Sequence, residues 1–404
     1  MVKPERRTKV DIAAAVAIAV VVAVAAALIW WTSDARATES RPATAPAAEP
    51  TAAREVPATL KLLWSAASPA TSRPIVVAGT VITGLGHRVD GRDLATGASR
   101  WSYARDADLC AVSYVYHYVL AVYPDRRGCG QVSGIDASTG RRGPARTSYA
   151  DKHVTVSSNG TTVLSAGRTR LELWRSDLVR MLSYGEIDAP VKPSVKGLGA
   201  GCALLSAAAG SSAVSVLEAC PGQADLRLTL LRPGKEDDEP EARYVPQPGI
   251  AADSGARVLA VSDTRTAVYL PSPKPRVEVV DSDGATVAST LLDKPPAASA
   301  TTSTAGDLVT WWTGDAVLMF DAGNLSYRYT VHPAGSAVPQ GPATIMAGRL
   351  LIPVTGGVGV YDPATGDLDR SIPVNRPPST AAVIPAAAGS TLIEQRGDTV
   401  VALG

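Results

Sequence analysis

Four cysteines, four histidines and 38 carboxylates are the residues of this 404-residue chain with reactive side chains. Cys110 and Cys129 are 19 residues apart, and Cys202 and Cys220 are 18 apart. Each pair brackets strand-like segments, so its members can meet across neighbouring strands. An even count suits disulfides in an oxidising compartment, and four cysteines allow three connectivities. The matched spacing selects Cys110–Cys129 and Cys202–Cys220. Zinc is the competing chemistry, but the close Cys-x-x-Cys spacing of a structural site is missing. His87, His117, His153 and His332 stand alone, with no second His or Glu at metal spacing. There is no Gly-x-Ser-x-Gly elbow, and Gly234-Lys235 lacks the glycine frame of a phosphate-binding loop. The expectation is a protein that is not an enzyme, with no catalytic, cofactor-binding or metal-binding residue and no cofactor.

The elements that would position these residues begin with an apolar run. Ile12 to Trp31 contains no charge, Pro or Gly. At ~1.5 Å per residue it spans about the ~30 Å of a hydrocarbon core. Lys3, Arg6, Arg7 and Lys9 precede it, which keeps that end in the cytoplasm, and Trp30 and Trp31 suit the far interface. Ala35-Arg36-Ala37 is like a signal cleavage site, but signal h-regions are only about 7–15 residues long and this run ends on a Trp pair. The reading is an uncleaved signal-anchor with a short cytoplasmic tail, 1–11, a transmembrane helix, 12–31, and the rest outside the membrane. No Cys follows the run closely enough for lipidation. Residues 32–57 are Ala, Thr, Pro, Glu and Arg without apolar periodicity, which predicts a disordered linker.

Residues 58–404 carry the remaining organisation. The whole chain is 46% hydrophobic and 19% charged, and its net charge of +1 offers no field to attract nucleic acid. Gly 35 and Pro 30 are spread through many short apolar alternations. Asp93-Leu94-Ala95-Thr96-Gly97 recurs as Asp136-Ala137-Ser138-Thr139-Gly140 and as Asp362-Pro363-Ala364-Thr365-Gly366. Weaker copies stand at Asp177-Leu178, Asp281-Ser282-Asp283-Gly284 and Asp321-Ala322-Gly323-Asn324. Each follows a strand-like segment, so Asp accepts the turn's N–H groups and Gly supplies a positive φ.

The steps between these turns are 43, 41, 40 and 41 residues, with one gap of 104 between Asp177 and Asp281. A period of ~40–45 residues with several short strands is that of a propeller blade. The long gap holds Ala203–Leu205, Val214–Leu217 and Leu226–Leu230 as strands of a degenerate blade, with Glu236-Asp237-Asp238-Glu239 as solvated loop decoration. The last repeat falls at the chain end, after Thr399–Leu403, and lacks an outer strand. Leu60–Trp64 has no blade of its own and fills that place. The fold class is therefore all-β: a single β-propeller of four-stranded blades behind one N-terminal helix. Eight blades are expected, with seven the alternative if 189–250 form one irregular insert.

Asp-x-x-Thr-Gly with a Trp eight residues after the Asp (Asp93 and Trp101) resembles the quinoprotein-like, or PQQ-like, β-propeller repeat. The docking Trp recurs on the end strand as Trp64, whereas Pro144 and Arg370 stand at the equivalent places. An anchor, a linker and an Ala/Val-rich propeller also look like actinobacterial envelope proteins. The dehydrogenases of the quinoprotein family carry adjacent cysteines and a Ca²⁺-binding acid set, which this chain lacks. His117 lies in Tyr114–Tyr118, read as strand, and Trp311-Trp312 point to opposite faces of theirs, one ring packing between blades. Propeller loops build one wide surface, so the expected role is a membrane-anchored interaction scaffold whose partners are envelope or membrane proteins. An envelope lipid- or glycan-binding module is the alternative, and a cryptic enzyme comes third.

Overall fold

A computed structural model describes the chain except for residues 1–7, 32, 34, 35 and 189–195. One apolar helix, Lys9–Trp31, is followed by eight antiparallel sheets, seven of four strands and one of four extended by a fifth. In chain order, the innermost strands of the eight blades are Ile75–Val77, Ala111–Val115, Thr155–Ser158, Ala203–Ala209, Arg257–Val261, Thr301–Ala305, Thr344–Met346 and Val383–Ala388. The chain is an eight-bladed β-propeller. The 104-residue gap holds blade 4, whose strands include Val214–Ala219, Arg227–Arg232 and Glu241–Pro246, so the seven-blade count does not apply.

Period-two alternation builds the ring, because successive side chains of a strand enter different seams. In blade 4, Val214 and Val216 face blade 3 while Leu217 faces blade 5. Eight apolar clusters result, each shared by two neighbouring blades. Trp311 enters the seam of blades 5 and 6, and Trp312 that of blades 6 and 7. Both rings are buried, so two pack between blades where one was expected. The strand reading of Tyr114–Tyr118 is corrected. Ala111–Val115 and Tyr118–Asp125 are separate strands, and His117 sits in the turn between them beside Tyr116, whose φ is 53°.

Blade 8 is assembled from both ends of the globular region. Leu62–Ala67 pairs antiparallel with Thr399–Leu403, from Leu62 opposite Leu403 to Ala67 opposite Thr399. The expected closing strand is thus present, two residues further on, because Leu60 is used in the seam of blades 7 and 8.

The stretch 32–57, expected as a disordered linker, differs from Glu39 onward. Glu39–Arg41 pairs with Ser99–Ala104, the outer strand of blade 1, as a fifth strand. Ala43 N–H donates to Thr139 O (2.8 Å) and Ala47 N–H to Ser138 O (3.0 Å), on the Asp136 turn of blade 2. The backbone then passes Gly79 of blade 1 and Gly389 of blade 8, where a Cβ would meet Ala48 O and Thr51 O. Val56 is buried between blades 7 and 8, and Arg370 Nη2 donates to its carbonyl (2.7 Å). This strap is held by backbone hydrogen bonds, which require no apolar periodicity. Deleting residues 39–53 should lower the Tm of the full chain measurably, and deleting 60–67 should remove cooperative unfolding altogether. Circular dichroism melts of the two deletions check this, with an unchanged melt for the first meaning that the strap is only laid on.

Candidate functional site

The Asp turns join the third and fourth strands of their blades and lie on one face. Asp93 Oδ1 accepts from the N–H groups of Ala95 (3.2 Å) and Thr96 (3.0 Å) and from the Thr96 hydroxyl. Asp136 Oδ1 accepts from Ser138 Oγ and from both the N–H and hydroxyl of Thr139. Asp362 Oδ1 accepts from Ala364 N (2.8 Å), while the Thr365 hydroxyl turns to Asp367. These bonds hold all three carboxyls below their ordinary range, against the opposing push of burial, the largest influence at Asp93 and Asp136. The turn acids are thereby spent on their own backbone.

Gly97, Gly140 and Gly366 all have φ between 71° and 77°, but conformation is only half their role. Trp64, on the outer strand of blade 8, lies flat against Gly97 and donates Nε1–H to Leu94 O (2.9 Å). Trp101, on the outer strand of blade 1, does the same at Gly140, with its Nε1–H on Ala137 O (2.7 Å). Tyr329 of blade 6 covers Gly366 and donates its hydroxyl to Pro363 O (2.6 Å). Tyr329 was missed because the repeat leads one to look for Trp, although it stands eight residues after Asp321. Where the glycine is replaced, Leu325 takes the left-handed conformation (φ 56°) and fills the seam itself. Aromatic ring and glycine are thus one inter-blade joint.

The cysteines lie at the opposite ends of their strands. Cys110–Cys129 and Cys202–Cys220 are disulfides, with Cα–Cα distances of 6.0 and 4.2 Å. Each closes a loop for which the chain-entropy model gives about 3 kcal/mol.

Buried acids are likewise consumed between blades. Glu172 of blade 3 takes Arg170 and Trp174 of its own blade and Arg146 of blade 2 (2.8 Å). Burial raises its pKa, but Arg170 and Arg146 outweigh this and the net shift is downward. Its contribution is therefore present above the unfolded value and is lost as pH falls through the folded one. Glu218, fully buried in blade 4, accepts from Tyr184 of blade 3 and from Arg227 and Thr229. Glu394 of blade 8 binds Arg376 and Arg396. The acidic run is more than solvated decoration: Asp237 holds Arg180 through both carboxylate oxygens at 2.8 Å. His117 is half-exposed, 4.0 Å from Asp136, and its ring lies tilted against that of Tyr118.

One of the cavities lies among inner strands. A cavity of about 480 Å³ is walled by the inner strands of blades 3 to 6 and their first turns. Hydroxyls dominate its polar lining, among them Ser157, Ser158, Thr302 and Thr304, and one arginine, Arg73, joins them.

No family model matches the chain, and no curated protein matches it. Among solved structures, the C-terminal WD40 domain of Sif2 aligns with a TM-score of 0.52 at 10% identity, covering 86% of this chain and 98% of that one. BamB from Moraxella catarrhalis aligns at 0.47 and 15% identity, over 86% and 98%. The dihydro-heme d1 dehydrogenase NirN in complex with DHE aligns at 0.49 and 12%, over 85% and 79%. At such identities the likeness is one of fold alone.

The ring-on-glycine joint is separable from backbone strain. Gly140→Ala places a Cβ 2.4 Å from Trp101, whereas Gly222→Ala has a similar φ of 77° and nothing within 4 Å. Gly222→Ala should cost about 1–2 kcal/mol from conformation, and Gly140→Ala about 1–3 kcal/mol more from overpacking. Denaturant unfolding of both variants measures the difference, and equal losses would mean the ring yields freely.

Proposed function

We propose that this chain is a membrane-tethered scaffold that binds protein partners along the wall of its propeller. The observation that carries the reading is the fifth strand of blade 1, where Glu39–Arg41 adds to an outer edge. Every outer strand presents one row of backbone groups without a neighbour in its own blade, and an extended segment can satisfy them. On blades 4 to 8 those strands also expose apolar side chains, namely Tyr244, Val287, Leu291, Tyr327, Leu368 and Leu62. The outer strand of blade 2 instead begins Arg142-Gly143-Pro144. A rim with an exposed apolar side chain on each of five consecutive blades favours extended partner segments on that side. The ionisable groups described above serve turns and seams, which favours binding over catalysis.

The helix supports a cell-membrane location, with the N-terminus in the cytoplasm and the propeller in an oxidising extracytoplasmic space. Its 23 residues are long and apolar enough to cross a membrane, and none is buried against the propeller. Strand pairing resumes at Glu39, so the tether between Trp31 and the ring is at most ~28 Å long when extended. The two disulfides support an oxidising compartment, since they persist where thiols are oxidised.

The test is site-specific photo-crosslinking of the full chain in its native membrane. Probes at Leu291, Tyr327 and Leu368 should each give a discrete protein adduct, and a probe at Arg142 should not. Tyr327→Lys should abolish the neighbouring adducts while moving the Tm by no more than about 1–2 °C, as a surface change does. No adduct at any of the three positions, or equal adducts at Arg142, contradicts the reading.

A further inference from the structure

Arg73 lines the axial cavity. It lies on the connection from blade 8 to blade 1, and its neighbours pin that connection. Thr71 donates to Gln395 Oε1 (3.0 Å) and contacts Ser68 Oγ (2.6 Å), while Ala70 O accepts from Val112 N (2.8 Å). On the other side Ile75 enters the inner strand and is buried. The backbone of Arg73 is thus fixed, and its side chain lines the axial cavity together with strands of blades 3 to 6.

Among the described residues, Arg73 is the one arginine taken even partly out of water without an acid, carbonyl or hydroxyl partner. The other arginines so placed are paired, as Arg92 is with Thr83, Arg257 with Ala300 O and Arg376 with Glu394. Burial lowers the pKa of Arg73, against a smaller opposing influence from Tyr114. A guanidinium carries five donors in a planar fork that matches carboxylate and phosphate oxygens. Withdrawing it from water without a partner costs free energy that a bound anion would recover.

The rest of the cavity says what else the ligand carries. At about 480 Å³ it far exceeds a lone anion and falls in the range of small-molecule sites. Its lining mixes apolar side chains, among them Leu164, Leu259 and Val309, with Ser and Thr hydroxyls, the amide of Asn159 and the free edges of inner strands, and the polar part can exchange hydrogen bonds with alcohols. The exposed Asp263 lies at the rim, where its Oδ1 faces Ser212. We infer that the axial cavity binds a small polyhydroxylated anion, a sugar phosphate or sugar acid, with Arg73 holding the charged group and the hydroxyl-lined strands of blades 3 to 6 holding the sugar. This goes beyond the scaffold reading, because the site is axial and the proposed partner surface is the outer wall.

The experiment is thermal unfolding of the full chain in detergent micelles with glucose 6-phosphate, glucuronate, glucose or inorganic phosphate. At ~100 times its dissociation constant, a fitting ligand should raise Tm by roughly 3 °C. Glucose 6-phosphate or glucuronate should do so, and glucose and inorganic phosphate should give less than a third of that shift. Arg73→Met should keep or raise the ligand-free Tm, since it removes an unpaired charge, and should abolish the ligand shift. Arg73→Lys should keep part of it. No shift with either sugar anion, a full shift with inorganic phosphate alone, or a shift that survives Arg73→Met would each overturn the assignment. A large loss of ligand-free Tm in Arg73→Met would also overturn it, by making Arg73 a structural residue.

Discussion

Blade 8 takes three strands from residues 383–403 and its fourth from Leu62–Ala67, and the other seven blades depend on that pairing. Each seam buries apolar residues from two neighbours, so a ring of eight blades has eight seams only when the last blade is whole. Trp64 shows how closely the pieces are linked. It sits on the closing strand, and its ring covers Gly97 in the first Asp turn of blade 1. One short segment therefore completes a sheet, fills a seam and caps a turn. Without it, Thr399–Leu403 would present an apolar edge, which is a template for association with other chains.

The same economy governs the polar residues. Turn acids satisfy their own backbone, and other acids join blades through arginine, the buried Glu172 joining blades 2 and 3 and the half-exposed Asp237 joining blades 3 and 4. Breaking a buried pair such as Glu172–Arg146 typically costs about 3–5 kcal/mol because a charge is left without its partner. Among the seams without an aromatic ring on glycine, that of blades 5 and 6 uses Leu325 in the left-handed conformation, that of blades 3 and 4 the Arg180–Asp237 pair, and that of blades 4 and 5 Val245 against Gly284. The joints differ in chemistry, but each occupies the same place between an outer strand and the next blade's turn.

Much of this architecture was legible in the residues. The Asp-x-x-Thr-Gly spacing carries the blade period because a tight turn needs Asp and Gly at fixed places whatever the strands contain. The cysteine spacing carries the two disulfides because both pairs bracket strands of one blade. Blade 4 was visible only as apolar alternations, since a longer connection, 233–240, replaces its Asp turn. The strap was not legible, because Ala43 and Ala47 are held by backbone groups that every sequence possesses. Tyr329 and Arg370 were missed as docking residues because they replace Trp by other means of reaching a carbonyl. Arg73 carries no local signal at all. Its place exists only once four blades and the connection from blade 8 to blade 1 surround the same cavity.

The central claim is that residues from the two ends of the globular region form one cooperative sheet. Native-state hydrogen exchange followed by mass spectrometry tests it most directly, using peptides that cover 62–67 and 399–403. The account predicts that both exchange only through global unfolding, with the same dependence on denaturant as the inner strands of blades 3 and 4. Fast exchange of 62–67 beside slow exchange of 399–403 would contradict it, because the closing strand would then be opening while the ring stays folded.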